Sequence, residues 1–385
     1  MNDRDISKIN FEKIVENNNE IGLYKGLTYE ILDYLKNNKV ATFNELIKNV
    51  GGSDRRTLRL LDQLVGLKII KFEKENFISE GDITTPIKSN ELVCKRCGGK
   101  IVNFNKKIND IMKIMKGLSK ERPKPTFMFD QRPVDCETTV RRAAYMVWKR
   151  DIQNKKIAIL GDDDLTSIAL GLTGLAKEII VFEIDNRLVN FIKDKSKTLG
   201  LNIKVVEQDL TKSISREYLN YFDLFMTDPT PIKVPFTIFA NVGVKLLNKK
   251  KTSVGYLSFL PSCMPKSIDV QRIITRMGLL ITDVIPFFTQ YDFVKETYSK
   301  EDLELLRKYS NNLSEISFFE HLIRVETTKE TKSIPIKYKR EDLFGRATKR
   351  VLKDPKKDPA ISANDEYVIG ITNNILKFNK ETLEV

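Results

Sequence analysis

Between residues 155 and 325 the sequence alternates short apolar runs with stretches of helical periodicity. The apolar runs are KIAIL, EIIVFEI, IKVVEQ, FDLFMTD, TSVGYLSFL, LITDVIPFF and ISFFEHLIRV. Strands that are apolar on both faces and separated by helices are typical of a mostly parallel sheet with helices on both sides. The pattern therefore predicts an α/β, Rossmann-like domain, in which we expect the last strands to form an antiparallel edge.

The rest of the chain is divided by changes in pattern. Residues 1–80 show three helical stretches followed by IIKFEKENFIS, which reads as a hairpin, and this order predicts a winged-helix-like domain. Residues 81–135 read as an irregular linker that contains a C-x-x-C motif. We place the Rossmann-like domain at 136–328. Residues 329–385 are expected to form a lysine-rich tail that is largely exposed and partly flexible.

Composition limits the classes of partner. The net charge of +13 favours anionic partners such as nucleic acid. Arg55, Arg56 and Arg59 lie on the third helix, where a winged-helix domain contacts a DNA backbone. The alternative is a dimerisation or lid module that uses the same fold. No apolar run approaches the ~18 residues that span a bilayer, and the polar N-terminus has no secretory h-region. We expect a cytoplasmic protein without a membrane segment.

A metal site is not expected. Cys94 and Cys97 form the C-x-x-C motif, but zinc would need two further ligands at a suitable spacing. A tight turn is the favoured interpretation of this segment. His321 is the single histidine of the chain, and we expect it to be a strand residue with a local hydrogen bond.

Acidic residues follow four of the predicted strands. They stand in GDDD (161–164), FEID (182–185), EQD (207–209) and TDPTP (227–231). In an open parallel sheet, ligands bind beyond the carboxyl ends of the strands, near the point where strand order reverses. Gly161 allows a ligand to approach the backbone closely. Glu183 or Asp185, about 20 residues downstream, can accept hydrogen bonds from a ribose diol, and Asp209 can accept one from an adenine amino group. These positions predict an adenosine pocket.

The aspartate triplet narrows the choice of ligand. Asp162, Asp163 and Asp164 stand where a dinucleotide enzyme binds pyrophosphate. Each like-charged pair at ~4 Å costs on the order of 4 kcal/mol at an effective dielectric constant of ~20, which disfavours NAD and ATP. S-adenosylmethionine carries a carboxylate, whereas its decarboxylated form carries only positive charges and suits an acidic turn. The alternative is helix capping, which one or two aspartates would satisfy.

The fourth strand end, TDPTP, is similar to the Asp/Asn-Pro-Pro-aromatic motif of amino-methyltransferases. Asp228 can orient an amine and accept its proton, and proline keeps the loop rigid.

Taken together, the motifs resemble a known family. GDDDLTSIALGLTGLAKEIIVFEIDNRLVNFI, MFDQRPVDCETTVRRAAYMVWKRD and the DEY at 365–367 are similar to the branched-chain polyamine synthases, the N(4)-bis(aminopropyl)spermidine synthases of archaea and thermophiles. The resemblance implies a winged-helix-like N-terminal domain, a catalytic domain of the S-adenosylmethionine-enzyme type and a flexible tail. It also implies two successive transfers of an aminopropyl group from decarboxylated S-adenosylmethionine, as co-substrate, to the N(4) amine of spermidine, with release of methylthioadenosine. No cofactor is implied.

The resemblance also suggests roles for the acids. It implies that Asp164 acts on the attacking amine, and we expect Asp228 to assist. Asp162, Asp163 and Asp185 would bind the other ammonium groups of the polyamine, and we expect a homodimer.

Two departures from the family pattern affect these expectations. Glu183 stands where the family usually has aspartate in Asp-Ile-Asp, and a glutamate can still hold a ribose diol. Thr230 interrupts the usual Asp-Pro-Pro, so the preferred acceptor stays open. Two other functions also stay open: an amino-methyltransferase that acts on nucleic acid, and a DNA-binding regulator that senses a nucleoside.

Overall fold

The structure is a computed structural model that describes residues 21–50, 54–79, 101–249, 252–259, 268–295, 298–362 and 366. The chain divides into two compact units, one formed by 1–103 and 286–320 and the other by 104–285 and 321–385. No helix among the residues described is both long enough and apolar enough to cross a membrane.

The helices and strands follow one another along the whole chain. The helices are α1 (Ile21–Asn38), α2 (Phe43–Val50), α3 (Asp54–Gly66), α4 (Lys106–Glu121), α5 (Cys136–Trp148), α6 (Thr166–Thr173), α7 (Asn186–Thr198), α8 (Lys233–Leu246), α9 (Ile268–Arg276), α10 (Lys300–Tyr309), α11 (Arg346–Val351) and α12 (Pro359–Ser362). The strands are β1 (Val40–Ala41), β2 (Ile70–Glu73), β3 (Asn76–Ser79), β4 (Lys156–Leu160), β5 (Glu178–Glu183), β6 (Ile203–Glu207), β7 (Leu224–Thr227), β8 (Val254–Phe259), β9 (Leu279–Asp292) and β10 (Ser317–Thr327).

In the first unit, helices α1 to α3 precede the β2–β3 hairpin. Strand β3 pairs antiparallel with both β1 and β2. The apolar faces of the helices are buried, because their apolar residues recur at helical spacing. The winged-helix-like assignment of residues 1–80 stays a prediction.

Helix α3 contacts the 298–309 segment within the same unit. Arg59 Nη2 lies 3.0 Å from Asp302 Oδ1. The guanidinium of Arg55 lies 4.9 Å from the centroid of the Tyr298 ring. Two of the arginines considered for DNA contact therefore have partners inside the unit. DNA binding through α3 would have to compete with these contacts.

The second unit is built on a seven-stranded sheet with the order β6-β5-β4-β7-β8-β10-β9. Strands β4 to β8 pair in parallel, whereas β10 runs antiparallel to β8. This confirms the predicted mostly parallel, Rossmann-like sheet. Strand order reverses at β4, which has β5 on one side and β7 on the other. The crevice at the carboxyl ends of these strands is where such sheets bind ligands.

Two expectations about the ordered regions need correction. The predicted linker contains α4, which runs from Lys106 to Glu121. The first half of the predicted tail is anchored rather than loose, because Thr348 and Asp358 are fully buried. The carboxylate of Asp358 accepts hydrogen bonds from Thr126 Oγ1 at 2.8 Å and from the Phe127 amide at 2.9 Å. The DEY segment at 365–367 lies largely outside the described residues, as does the C-x-x-C of Cys94 and Cys97.

Candidate active site

Carboxyl groups from three neighbouring strands meet at the switch point of the sheet. The triplet follows β4, Glu183 ends β5 and Asp228 follows β7. The carboxyl of Asp163 interacts electrostatically with those of Asp164, Glu183 and Asp228. Burial, together with these neighbouring acids, raises the pKa of Asp163 well above its usual range, and only Arg122 opposes them. The structure thus brings together acids that the sequence placed at separate strand ends.

The first aspartate of the triplet works mainly as a helix cap. Asp162 is 1% exposed. Its Oδ2 accepts a hydrogen bond from Ser167 Oγ at 2.5 Å, and both carboxylate oxygens lie 3.3 Å from the Ser167 amide. Burial raises the pKa of Asp162 well above its usual range, although the contacts with Ser167 oppose this. The helix-capping alternative therefore fits Asp162 better than direct contact with a polyamine.

The third aspartate is paired with a buried arginine. Arg142 Nη1 lies 2.5 Å from Asp164 Oδ2, while Arg142 Nη2 contacts Asp228 and lies 3.0 Å from Ser258 Oγ. The Arg142 side chain is 0% exposed. The other oxygen of Asp164 accepts a hydrogen bond from the Val134 amide at 2.7 Å. One guanidinium thus bridges both acids that the sequence analysis considered catalytic.

Sequence reasoning quoted the segment that contains Arg142 but gave this residue no role. Arg142 lies four residues from Thr138 and three from Tyr145, and all three are buried on α5. A charged residue on the buried face of a helix is rarely left without a partner. That periodicity was the available signal, but it could not have identified Asp164 and Asp228 as the partners.

Glu183 is held by the backbone around it. Its Oε2 accepts a hydrogen bond from the Asp162 amide at 2.8 Å, and its Oε1 accepts from the amides of Ile184 and Asp185 at 2.8 and 2.9 Å. Burial raises the pKa of Glu183, and the three amides oppose the rise. A ribose diol would have to share a carboxylate that already closes the turn between β4 and β5.

Asp185 is also fully engaged by the protein. Its oxygens accept hydrogen bonds from the Arg187 amide and guanidinium at 2.6–3.0 Å. Gln131 Nε2 adds another at 2.8 Å. Asp185 caps α7 and is 0% exposed. These contacts favour a role in holding Gln131 over the predicted contact with a polyamine.

Gly161 and Asp209 border the same crevice. Gly161 has φ +71°, a left-handed conformation that favours glycine, and an added Cβ would meet only Phe239, at 3.7 Å. Asp209 Oδ1 accepts hydrogen bonds from the amide and hydroxyl of Thr211 at 2.9 and 2.6 Å. The preceding residue, Gln208, donates its amide to Glu183 O at 2.8 Å. The loop that carries Asp209 therefore runs beside the end of β5.

A loop that sequence analysis assigned to the linker lies against the acids. The Arg132 amide lies 3.1 Å from Asp163 Oδ2, and the Arg122 guanidinium donates to the Asp163 carbonyl at 2.8 Å. Together with the amide of Val134 and the side chain of Gln131, these contacts orient the acids from the FDQ segment. Sequence analysis used that segment only to support the family resemblance.

No group of three or more potential ligands in the described part of the chain could hold a metal ion. His321 lies opposite Phe259 in the β8–β10 pair, with the ring centroids 5.2 Å apart.

Comparison with known proteins identifies relatives of this site. Residues 110–349 match the family model of the branched-chain polyamine synthase A C-terminal domain. The sequence is 36% identical over 245 residues to the N(4)-bis(aminopropyl)spermidine synthase of Methanocaldococcus jannaschii, which covers 62% of this chain and 69% of that protein. It is 34% identical over 249 residues to the enzyme of the same name from Thermococcus kodakarensis, covering 63% and 69%.

The fold is also similar to a crystal structure of the branched-chain polyamine synthase from Thermus thermophilus in complex with N4-aminopropylspermidine and 5′-methylthioadenosine. The TM-score is 0.63 at 23% identity, and the match covers 83% of this chain and 92% of the other.

Proposed function

Because this chain belongs to the family of branched-chain polyamine synthases, we propose that it is an aminopropyltransferase. The donor is decarboxylated S-adenosylmethionine, and the acceptor is the N(4) amine of spermidine, which is alkylated twice. The products are a branched-chain polyamine and methylthioadenosine. The observation that carries this proposal is the meeting of Asp163, Asp164, Glu183 and Asp228 at the switch point of the sheet, within the residues that match the family.

Both substrates of this reaction are cationic, and the described crevice offers carboxylates to them. The sulfonium of the donor and the ammonium groups of the polyamine favour the charged form of a nearby carboxyl. Gly161 and Glu183 flank the position of the nucleoside, and Asp209 lies on the adjoining loop. Asp163 is the acid of the triplet that acts on the polyamine chain, since Asp162 caps α6 and Asp164 pairs with Arg142.

The reaction is a displacement at the carbon next to the sulfonium. The lone pair of the acceptor nitrogen forms the new C–N bond, the C–S bond breaks, and sulfur leaves with the electron pair as the thioether of methylthioadenosine. The attacking nitrogen must be neutral, so its proton has to be accepted first or during the step. Asp164 accepts this proton, and Asp228 orients the amine. Holding the two substrates in line supplies much of the rate enhancement.

Arg142 fixes the two reactive acids relative to each other. Its two terminal nitrogens contact Asp164 and Asp228 separately, and a guanidinium presents its donors in a rigid planar fork. The acids therefore face the acceptor from defined directions. The helix that carries Arg142 places the side chain without solvent contact, which keeps this geometry from relaxing.

Product analysis by mass spectrometry tests the proposal. The full chain is incubated with spermidine and either decarboxylated S-adenosylmethionine or S-adenosylmethionine. We expect two successive mass gains of one aminopropyl unit, with release of methylthioadenosine, from the decarboxylated donor only. Methyl transfer from S-adenosylmethionine to nucleic acid, with no polyamine product, would instead support the amino-methyltransferase. The homodimer and the cytoplasmic location stay predictions.

A further inference from the structure

Asp130 lies where three segments of the second unit come together. It ends the Phe127–Phe129 turn with a left-handed backbone, φ +56°. Thr348 Oγ1, from the C-terminal segment, lies 3.0 Å from Asp130 Oδ1 and 2.6 Å from the Phe127 carbonyl. The same segment is anchored a second time by Asp358 at residues 126–127. The FDQ loop and the C-terminal segment are therefore joined at two points.

Gly345 shows how closely the C-terminal segment lies against this carboxylate. A Cβ added at Gly345 would lie 2.6 Å from Asp130 Oδ2 and 2.8 Å from Oδ1. The backbone of Gly345 is extended, with φ −68° and ψ 176°, which any residue can adopt. Glycine is therefore required here by the side chain of Asp130 and not by the backbone conformation. The Gly345 amide also hydrogen-bonds the Asp130 carboxyl.

The third segment is the 228–231 loop. The side chain of Thr230 hydrogen-bonds the Asp130 carboxyl and, with Thr348, favours its charged form. Thr230 is the residue that interrupts the Asp-Pro-Pro pattern, and a proline there would have no hydroxyl to offer. It stands two positions after Asp228, which contacts Arg142. Asp130 thus links the C-terminal segment to the loop that carries one of the reactive acids.

We propose that Asp130 is a positioning residue that holds the 228–231 loop through Thr230, and that this link determines which polyamine the enzyme accepts. The acceptor role rests on the proposed function, because it supposes that Asp228 faces the acceptor amine. The link itself rests only on the contacts of Thr230, Thr348 and Gly345 with one carboxylate. A loop held by a hydroxyl differs in position from a loop stiffened by a third proline, and the acceptor site differs with it.

Acceptor kinetics test the specificity role. Hydrogen bonds to charged groups are worth enough to change an equilibrium about tenfold or more, so we expect Thr230→Val and Asp130→Asn to raise the KM for spermidine by about that factor. The KM for decarboxylated S-adenosylmethionine should stay unchanged. Thr230→Ser keeps the hydroxyl and should stay near the wild type. Thr230→Pro should change the ratio of singly to doubly alkylated product. Equal effects of Thr230→Val and Thr230→Ser would overturn the role of the hydroxyl.

Hydrogen–deuterium exchange of the full chain tests the link without requiring turnover. Gly345→Ala pushes against Asp130, whereas Gly117→Ala adds a Cβ with nothing within 4 Å and serves as the control. We expect faster exchange in peptides that cover 228–231 for Gly345→Ala only. Unchanged exchange in that variant would overturn the link. A wild type that makes no polyamine product would overturn the proposed function and the acceptor role with it, while the exchange result would still decide the link.

Discussion

The bridge made by Arg142 leads to a prediction whose size follows from the structure. Arg142→Lys keeps the positive charge but replaces a planar fork with a single ammonium, which cannot reproduce separate contacts to Asp164 and Asp228. A displacement of about 1 Å in a reactive group can cost about 100-fold in rate, so we expect kcat to fall by about that factor. The KM for the donor should change much less, because the nucleoside contacts do not involve α5.

The cost to folding separates Arg142 from an ordinary buried arginine. Arg142→Met would leave two carboxylates without their guanidinium. Removing one partner of a buried ion pair costs about 3–5 kcal/mol, so the free energy of unfolding should fall by about that amount in denaturant titrations. Asp164→Asn should lower kcat strongly while the protein remains folded, since an amide cannot accept the proton of the amine.

Arg141 provides the matched control on the same helix. It is 5% exposed, but it pairs with Glu137, whose side chain is 57% exposed. Such a pair is worth about 0–1 kcal/mol, and it does not contact the reactive acids. Arg141→Lys should therefore keep kcat close to the wild type. If Arg142→Lys turned over as fast as Arg141→Lys at equal stability, the bridge would have no part in positioning the acids.

Three further predictions concern the edges of the site. Gly161→Ala and Gly174→Ala both put alanine at a positive φ, +71° and +70°, so each should lose about 1–3 kcal/mol of stability in denaturant titrations, but only Gly161→Ala should raise the donor KM. Polyamine binding should release a proton, because a bound cation lowers the raised pKa of Asp163; calorimetry in buffers of different ionisation enthalpy should detect the release, and Asp163→Asn should abolish it. Since a raised pKa in the folded state costs stability as pH rises above the usual aspartate value of about 4, Asp163→Asn should also gain melting temperature over the wild type across that range. Glu183→Gln should weaken donor binding in titration calorimetry, because it replaces an acceptor of three backbone amides with a group that has one acceptor oxygen.

Local pattern was enough to predict the sheet and the position of its ligand site. The apolar runs marked the strands, and the acids at their ends marked the crevice, because both depend on residues that are neighbours in sequence. The structure confirms the sheet and brings the acids of β4, β5 and β7 together. Pattern could not assign 286–320 to the first unit, because an apolar strand face does not identify the core that it joins.

The partners of the acids could not be predicted, because they come from distant parts of the chain. Arg142 and Asp228 are 86 residues apart, and Thr126 and Asp358 are 232 apart. Sequence analysis treated the triplet as one block of negative charge. In the fold its members have different neighbours, so one caps a helix, one pairs with an arginine and one faces other acids.

This division of the triplet resolves a conflict in the chemistry of polyamine alkylation. The ammonium groups that only hold the substrate should keep their protons, whereas the attacking nitrogen must lose its own. A bare carboxylate favours a protonated amine beside it, so an unbroken acidic surface would bind the polyamine and also hold the reactive nitrogen in its inert form. Arg142 places a positive charge against Asp164 and Asp228, which weakens that effect where the bond forms. Asp163, which faces three other acids, keeps its attraction for the ammonium groups. Asp163→Asn should therefore raise the acceptor KM, whereas Asp164→Asn should lower kcat, and the reverse assignment would contradict this division of roles.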